Sequence, residues 1–483
     1  MALSRFWVVL FLASIAYLFF LLFSGRFYAL EFVVNGKKDE PLLQREFYLE
    51  QAPPELRSSL QSAADHTVTI GGVQYKNDNG VVKAYSGKQG ADGILPTCKS
   101  TILDLLLPLI AYLSFFSGIL QLLIDSGASE RVAKLLSPIF VRVFPEVPPG
   151  HPSISYMTLN FAANFLGLDS AATPFGLKAM ESLQELNKEK DRASNPQIMF
   201  LCLHAAGLTL IPTSIISYRA AQHAVNPADV MLPCIITSFI GTVAALVLVG
   251  IRQRINLFNA TIVIAIGGIV GIITALLIYI TRLDLVSKSR FTGNLSNGVL
   301  LSLILVILGY SLWREKQFAA KGTTLFNSFV EGAYNGLTVG RIIFPYILGM
   351  LVAISLFRNS GLFNMFAGAL AWLFRAFHVN EQIVNGLPVA ILRPFSSAGS
   401  RGFLIDAMGT YGADSFAGRL ACVFQCAAET TFYVIAVYFG SVKIKHTRYA
   451  LSTMLLVDVI CVCAAIFVCL AFFQLPAAAP IAP

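Results

Sequence analysis

Near the C-terminal end of this 483-residue chain, one apolar stretch carries groups that hydrocarbon tolerates poorly. Leu420 to Tyr438 is apolar except for Gln425, Glu429, Thr430 and Thr431. On a continuous helix Gln425 and Glu429 stand one turn apart, on a face with Cys422 and Cys426. A buried carboxylate has its pKa raised by desolvation and can exchange a proton. It can also accept hydrogen bonds from a ligand, or brace nearby backbone. Upstream, an apolar run stops at Arg393-Pro394, and a small polar segment follows with Ser396, Ser397, Gly399, Ser400, Arg401 and Gly402. Asp406 comes next. Arg393, Arg401 and Asp406 suit two uses. A buried arginine needs a partner, so an Arg–Asp brace is one. An anion held by Arg401 and the exposed N–H groups of a helix start is the other.

A second polar set lies in the first half. Asn160 and Asn164 are four apart, hence on one helical face. Ser170 and Thr173 fall in the interruption Gly167–Pro174. His204 sits in the apolar run Gln197–Ser217, where a lone histidine is more often a structural donor than a ligand. Asp458 stands alone in the last apolar run, with no partner legible nearby. No nucleophile–base set, phosphate-binding loop or metal-ligand spacing is present, so no enzymatic role, cofactor or metal is expected. Seven of the eight cysteines lie in apolar runs, where cysteine acts as a small hydrophobe. Cys98 alone lies in a polar region and makes no disulfide framework.

The elements that must position these groups are membrane helices. Hydrophobic residues make up 56% of the chain and charged ones 13%, with mean hydropathy +0.68. A soluble domain carries nearly twice that charge. The net charge of +8 sits mostly in short loops, a topology and headgroup signal rather than a nucleic-acid surface. Phe6–Phe23, preceded by Arg5 and followed by no A-x-A site, reads as an uncleaved first helix. Thr101–Ile124 is a second span, with a kink expected at Leu105–Pro108. Glu130–Phe144 is amphipathic and suits the interface. Plain spans follow at Val230–Ile251, Ile255–Ile280 and Gly298–Trp313, then Ile342–Phe357, Gly361–Phe374 and Tyr449–Phe473. Ser153–Leu186 and Ile391–Met408 are interrupted, and the apolar part Ile154–Leu168 is too short to span comfortably. They are expected as hairpins or broken helices, the mark of a transporter's binding site.

Gly36–Ser100 is the one polar insert. Val68–Tyr75 and Val81–Tyr85 alternate around Asn79-Gly80, a hairpin signal. His66, its only histidine, reads as a surface residue. By the positive-inside rule, Arg131, Lys134, Arg142, Lys188, Lys190 and Arg192 face the cytosol, with the insert across the membrane from them.

The two ends of the chain repeat one another in order. Asp125-Ser126-Gly127 answers Asn359-Ser360-Gly361, and Phe140–Phe144 answers Leu373–Phe377. Ser170-Ala171-Ala172 answers Ser397-Ala398-Gly399, and Ala179-Met180 answers Ala407-Met408. His204–Thr209 answers Gln425–Thr430. Co-linear repeats that each hold a broken segment place a site at their interface. The two halves are expected to superpose with inverted topology.

These same residues carry a family resemblance. Phe144–Pro152, Asn160–Asn187 and Leu208–Arg219 closely resemble spore maturation protein A. Ser328–Leu337, Arg393–Phe416 and Glu429–Leu451 closely resemble spore maturation protein B. Both belong to the nucleoside recognition, or Gate, proteins, whose domain is shared in outline with concentrative nucleoside transporters and ferrous iron transporters. The chain looks like a fusion of the two, departing from them in the insert Lys37–Ser100 and an extra span near Ile255–Ile280. The implied fold is an all-α polytopic membrane protein with two Gate-type repeats. Its divisions are an N-terminal membrane helix (1–35), an extramembrane insert (36–100) and a first repeat (101–228). Connecting helices (229–296), a second repeat (297–475) and a disordered tail (476–483) complete it. The implied place is the bacterial inner membrane. The implied function is a carrier for a small polar solute, nucleoside-like or a small organic anion. Coupling to H⁺ or Na⁺ through Glu429 is compatible with it. The solute and the lipid bilayer are the expected partners, and self-association into a homo-oligomer is left open. Asn160, Asn164, Ser170, Thr173, His204, Arg393, Ser397, Ser400, Arg401, Asp406, Gln425, Glu429 and Thr430 are the candidate binding residues. The competing reading is a non-transporting scaffold of envelope, spore-cortex or peptidoglycan maturation that binds through the insert.

Overall fold

The computed structural model describes residues 2–24, 30–36, 40–63, 65–70, 73–78, 80–89, 93–167, 169–363, 365, 380–473 and 475. The expected span Gly361–Phe374, the repeat motif Leu373–Phe377 and the tail fall largely or wholly outside them. Helix dominates, and seven helical stretches among the described residues are long and apolar enough to cross a membrane.

The first helix, α1 (Ala2–Phe23), packs on the second repeat through the Trp7 indole, which donates to Gly349 O at 3.0 Å. After α2 (Leu30–Asn35) comes the insert: β1 (Glu40–Tyr48), α3 (Pro54–Ser62), β2 (Thr67–Ile70), β3 (Val73–Asp78) and β4 (Val81–Gln89). The strands form an antiparallel sheet in the order β1-β4-β3-β2. The Asn-Gly hairpin is present as β3–β4. Val68–Tyr75 is not one strand, however, but parts of two, because the chain reverses between Ile70 and Val73. Leu56 and Leu60 of α3 close a small core against Val82 and Ala52.

From α4 (Ile94–Ser100) the chain passes through a π-helical turn, Thr101–Leu106, into α5 (Leu107–Asp125). The kink expected at Pro108 is thus taken up by a widened turn before it. The amphipathic α6 (Ala128–Val143) follows. Next is the first hairpin, α7 (Pro152–Phe165) and α8 (Asp169–Leu186), reversing at Leu166-Gly167. At φ +79° Gly167 permits the reversal, and a Cβ there would meet Ile211 O at 2.6 Å.

The run Gln197–Ser217 is two half-helices, α9 (Asn195–Ala205) and α10 (Thr213–Ala221), with a non-helical break between them. The plain spans are α11 (Met231–Gln253), α12 (Ala260–Arg282) and α13 (Leu285–Trp313). The outward-facing α12 is buried over only 6% of its apolar window, as suits a lipid-facing helix. A short α14 (Glu315–Ala320) leads to α15 (Leu325–Asn359), which starts well before the expected Ile342.

The second repeat restates the first. Its hairpin is α16 (Glu381–Leu392) and α17 (Ser397–Tyr411). Its broken helix is α18 (Phe416–Ala427) and α19 (Thr431–Ser441), and its closing span is α20 (Ala450–Phe472). Between α5 and α15 the chain crosses by α9–α10, α11, α12 and α13, so counterpart helices run in opposite directions. The packing bears this out. A Cβ at Gly332, Gly336 or Gly340 of α15 would lie 2.5 Å from Gln121, Ser114 or Ile110 of α5, an antiparallel register. Small residues at this spacing let helix backbones touch in lipid. The end of α11 meets the start of α20, with Gln253 Nε2 donating to Tyr449 Oη at 2.9 Å.

The insert and the Lys188–Arg192 loop lie at opposite ends of α20. Tyr48 Oη donates to Leu475 O at 2.6 Å, just past the end of α20. The Lys445 and His446 N–H groups, just before its start, donate to Asp191 O at 2.8 and 3.0 Å. The 23 residues of α20 span about 35 Å. Single cysteines at exposed Lys76 and Lys188 should therefore differ in whole cells. An impermeant maleimide is expected to label Lys76→Cys and spare Lys188→Cys. The reverse pattern would overturn the orientation.

Candidate functional site

Each repeat satisfies the backbone groups freed at its break with the tip of its own hairpin. In the first, Leu210 N–H donates to Phe165 O at 2.7 Å. In the second, Phe432 N–H donates to Pro394 O at 3.0 Å and Arg393 Nε to Ala428 O at 2.6 Å. The two breaks then meet, with Glu429 N–H donating to Ala205 O at 2.8 Å. Non-helical backbone survives at membrane depth only under such conditions. Side-chain caps set the half-helix starts: Ser396 accepts from Gly399 N–H and Ser415 from Gly418 N–H, both at 2.9 Å.

Beside the crossing lies a cavity of about 200 Å³. Its polar lining includes Asn164, Thr209, Thr213, Ser214, Ser397, Gln425 and Glu429, with the guanidinium groups of Arg393 and Arg401. Ser397 organises the arginines, because its hydroxyl accepts from Arg393 Nη1 at 3.3 Å and Arg401 Nη2 at 2.9 Å. Arg393 also reaches Glu429 at 3.5 Å. Gln425 Oε1 and Thr430 Oγ1 are buried with no hydrogen-bond partner among the described residues. A buried, unmatched amide oxygen beside a cavity is available to a ligand donor.

Several sequence expectations change here. Leu420–Tyr438 is not continuous, because residues 428–430 leave the helix and put Glu429 at the break. Gln425 and Glu429 therefore share the cavity but not a helical face. The carboxylate of Glu429 is not desolvated either, being 44% exposed. Asp406 does not brace Arg393 or Arg401. It pairs with Arg358 at 2.7 Å, and Arg358 also lies over the Phe363 ring. Asp458 does have a partner, accepting from Thr431 Oγ1 at 2.7 Å.

Asn160 and His204 lie behind the cavity. His204 Nδ1 is 3.1 Å from Asn160 Oδ1 and 2.9 Å from Asn164 Nδ2, and Asn160 Nδ2 donates to Ala172 O at 2.7 Å. His204 thus locks the first hairpin to the first broken helix. Ser400 is buried and donates to Ser397 O at 3.2 Å, and Thr173 is half-buried outside the lining. The side chain of Ser170 lies outside those described. Sequence reasoning missed Thr213 and Ser214, which open α10 and line the cavity. The repeat held the signal, since the break inside Gln425–Thr430 answers the one that begins inside His204–Thr209 and runs to Pro212.

A charge cluster, also unforeseen, stands behind Tyr218 of the cavity wall. The fully buried Arg219 contacts Asp229 and Asp414, both at 2.9 Å. Arg419 Nε reaches Asp229 at 2.8 Å, and Val225 N–H donates to Asp414 at 2.8 Å. The ends of α10, α11 and α18 are fastened together by this cluster.

Residues 106–222 and 341–445 match the Gate family, described as nucleoside recognition. Each range holds one hairpin and one broken helix. Spore maturation protein A of Bacillus subtilis (strain 168) is 36% identical over 140 residues, 29% of this chain and 71% of that protein. Spore maturation protein B of the same organism is 42% identical over 148 residues, 31% of this chain and 82% of that protein. The chain belongs to the Gate family. Its two Gate repeats are A-like and B-like parts joined in one membrane protein.

Proposed function

We propose that this Gate protein is a carrier for a small organic anion in the bacterial cytoplasmic membrane. The observation that carries the reading is the pair of crossed broken helices beside a polar cavity. Crossed discontinuous helices at a repeat interface suit alternating access. The solute class follows from charge and size. Two guanidinium groups and one carboxylate line the cavity, a net positive charge. The N-terminal ends of α10 (Thr213, Ser214) and α17 (Ser397) add positive dipole ends. At about 200 Å³ the cavity is smaller than the ~300–1,000 Å³ of ordinary ligand pockets. A carboxylate of a few carbons fits this better than a nucleoside. In a melting screen of detergent-purified protein, small carboxylates are expected to raise the melting temperature and neutral nucleosides to leave it unchanged. A nucleoside-specific rise would reverse the assignment.

A second reading rests on the insert, which has its own sheet and core. In that reading the insert is the binding module of a non-transporting scaffold in envelope or spore-cortex maturation. Deleting residues 40–89 separates the two. A carrier keeps its ligand-induced rise in melting temperature, whereas a scaffold has none in either form.

A further inference from the structure

A second cavity, of about 240 Å³, opens between α13 and the first repeat. Leu123, Leu166, Leu303, Val306 and Ile307 line it, with Ile211 as the wall it shares with the polar cavity. The surface around it faces hydrocarbon: on α13 Leu305 is 72% and Val306 64% exposed. The exposed lining is apolar throughout, and Arg131 and Tyr310 stand at one end of it, with Trp313 and Arg314 next to them. Arg131 lies 5.4 Å from the Tyr310 ring centroid and 5.2 Å from that of Trp313. Arg314 lies 6.0 Å from the Trp313 ring. Tyr310 Oη and Arg314 Nε are both buried with no hydrogen-bond partner among the described residues. This end lies on the side away from the insert, where α6 follows α5 and α14 precedes α15.

We propose that this is a binding site for one anionic phospholipid of the cytosolic leaflet. An acyl chain fills the apolar cavity, and the phosphate lies at Arg131, Tyr310 and Arg314. Three features select that occupant. The cavity is apolar and opens on a lipid-facing helix, which suits a chain and not a soluble ion. Two arginines at one end favour an anionic headgroup over a zwitterionic one. The Tyr310–Trp313 pair marks the headgroup level, where amphipathic rings settle. The carrier reading is not required for this site.

The test uses the full-length protein in detergent, melted with phosphatidylglycerol, with phosphatidylcholine, or with sn-glycerol 1-phosphate alone. Phosphatidylglycerol is expected to raise the melting temperature well above either other addition. Val306→Trp alters a side chain already largely exposed, and its indole should cover the cavity and abolish the difference. Arg131→Gln should weaken the phosphatidylglycerol effect, shifting its half-saturating concentration up roughly fivefold, the weight of one basic group. An equal response to phosphatidylcholine, or an unchanged response in Val306→Trp, would overturn the site. A response to sn-glycerol 1-phosphate as large as to the lipid would mean an anion site with no bound chain, and would also overturn it.

Discussion

Arg219→Ala is expected to destabilise the folded protein by about 3–5 kcal/mol, the usual cost of breaking a buried ion pair from one side. The guanidinium is fully buried between the carboxylates of Asp229 and Asp414. It also donates to the carbonyls of Ala413, Asn226 and Pro227. Removing it leaves two buried carboxylates with one cation, Arg419, which is 22% exposed. Two like charges then face one another in a low dielectric. Arg219→Lys should recover only part of the loss, because an ammonium cannot reproduce the planar fork that spans both carboxylates. Melting temperature in detergent reads the effect. If Arg219→Ala melts with the wild type, the cluster does not hold the ends of α10, α11 and α18 together. Arg419→Gln, at the partly solvated edge, should cost less than either Arg219 variant.

The same cluster shows where reading the sequence stops. Arg219 and Asp414 are 195 positions apart, and neither lies in a local pattern that names its partner. The hairpins were legible because glycine and proline punctuate short apolar runs near Gly167 and Pro394. The break at residues 428–430 was not, since Ala427-Ala428-Glu429-Thr430-Thr431 contains neither residue. That break is made by tertiary bonds: Ala205 O takes the Glu429 N–H, and Arg393 takes the Ala428 carbonyl. Local propensity cannot report a competition won by partners elsewhere in the chain. The first break, by contrast, has Gly207 and Pro212 in its own sequence. The repeat alignment pairs that stretch with Gln425–Thr430, which by its own residues reads as an uninterrupted helix. The glycines at 332, 336 and 340 stand four residues apart, a spacing that sequence analysis did not single out, and the structure shows that α5 is the helix they admit.

The last expected result separates two roles that meet at the second break. Arg393 makes three kinds of contact, to Ala428 O, Ser397 Oγ and Glu429. Glu429 contributes one partly solvated carboxylate. Charge-assisted hydrogen bonds contribute about 1.5–3 kcal/mol each, so Arg393→Gln should lower the melting temperature and weaken anion binding at least tenfold. Glu429→Gln keeps size and hydrogen bonding and loses one long, partly solvated ion pair, so stability should change by less than about 1 kcal/mol. It also leaves Arg393 and Arg401 with no carboxylate in the cavity lining, which favours an anion. Binding should therefore persist or tighten while uptake falls, because the carboxylate that competes with the solute for Arg393 has gone. Ligand affinity, melting temperature and liposome uptake must be measured on both variants. In the wild type, uptake should vary with pH if Glu429 carries the coupling proton, and Glu429→Gln should flatten that dependence. Normal uptake by Glu429→Gln across the pH range would leave Glu429 as a brace between hairpin and break, with coupling placed elsewhere.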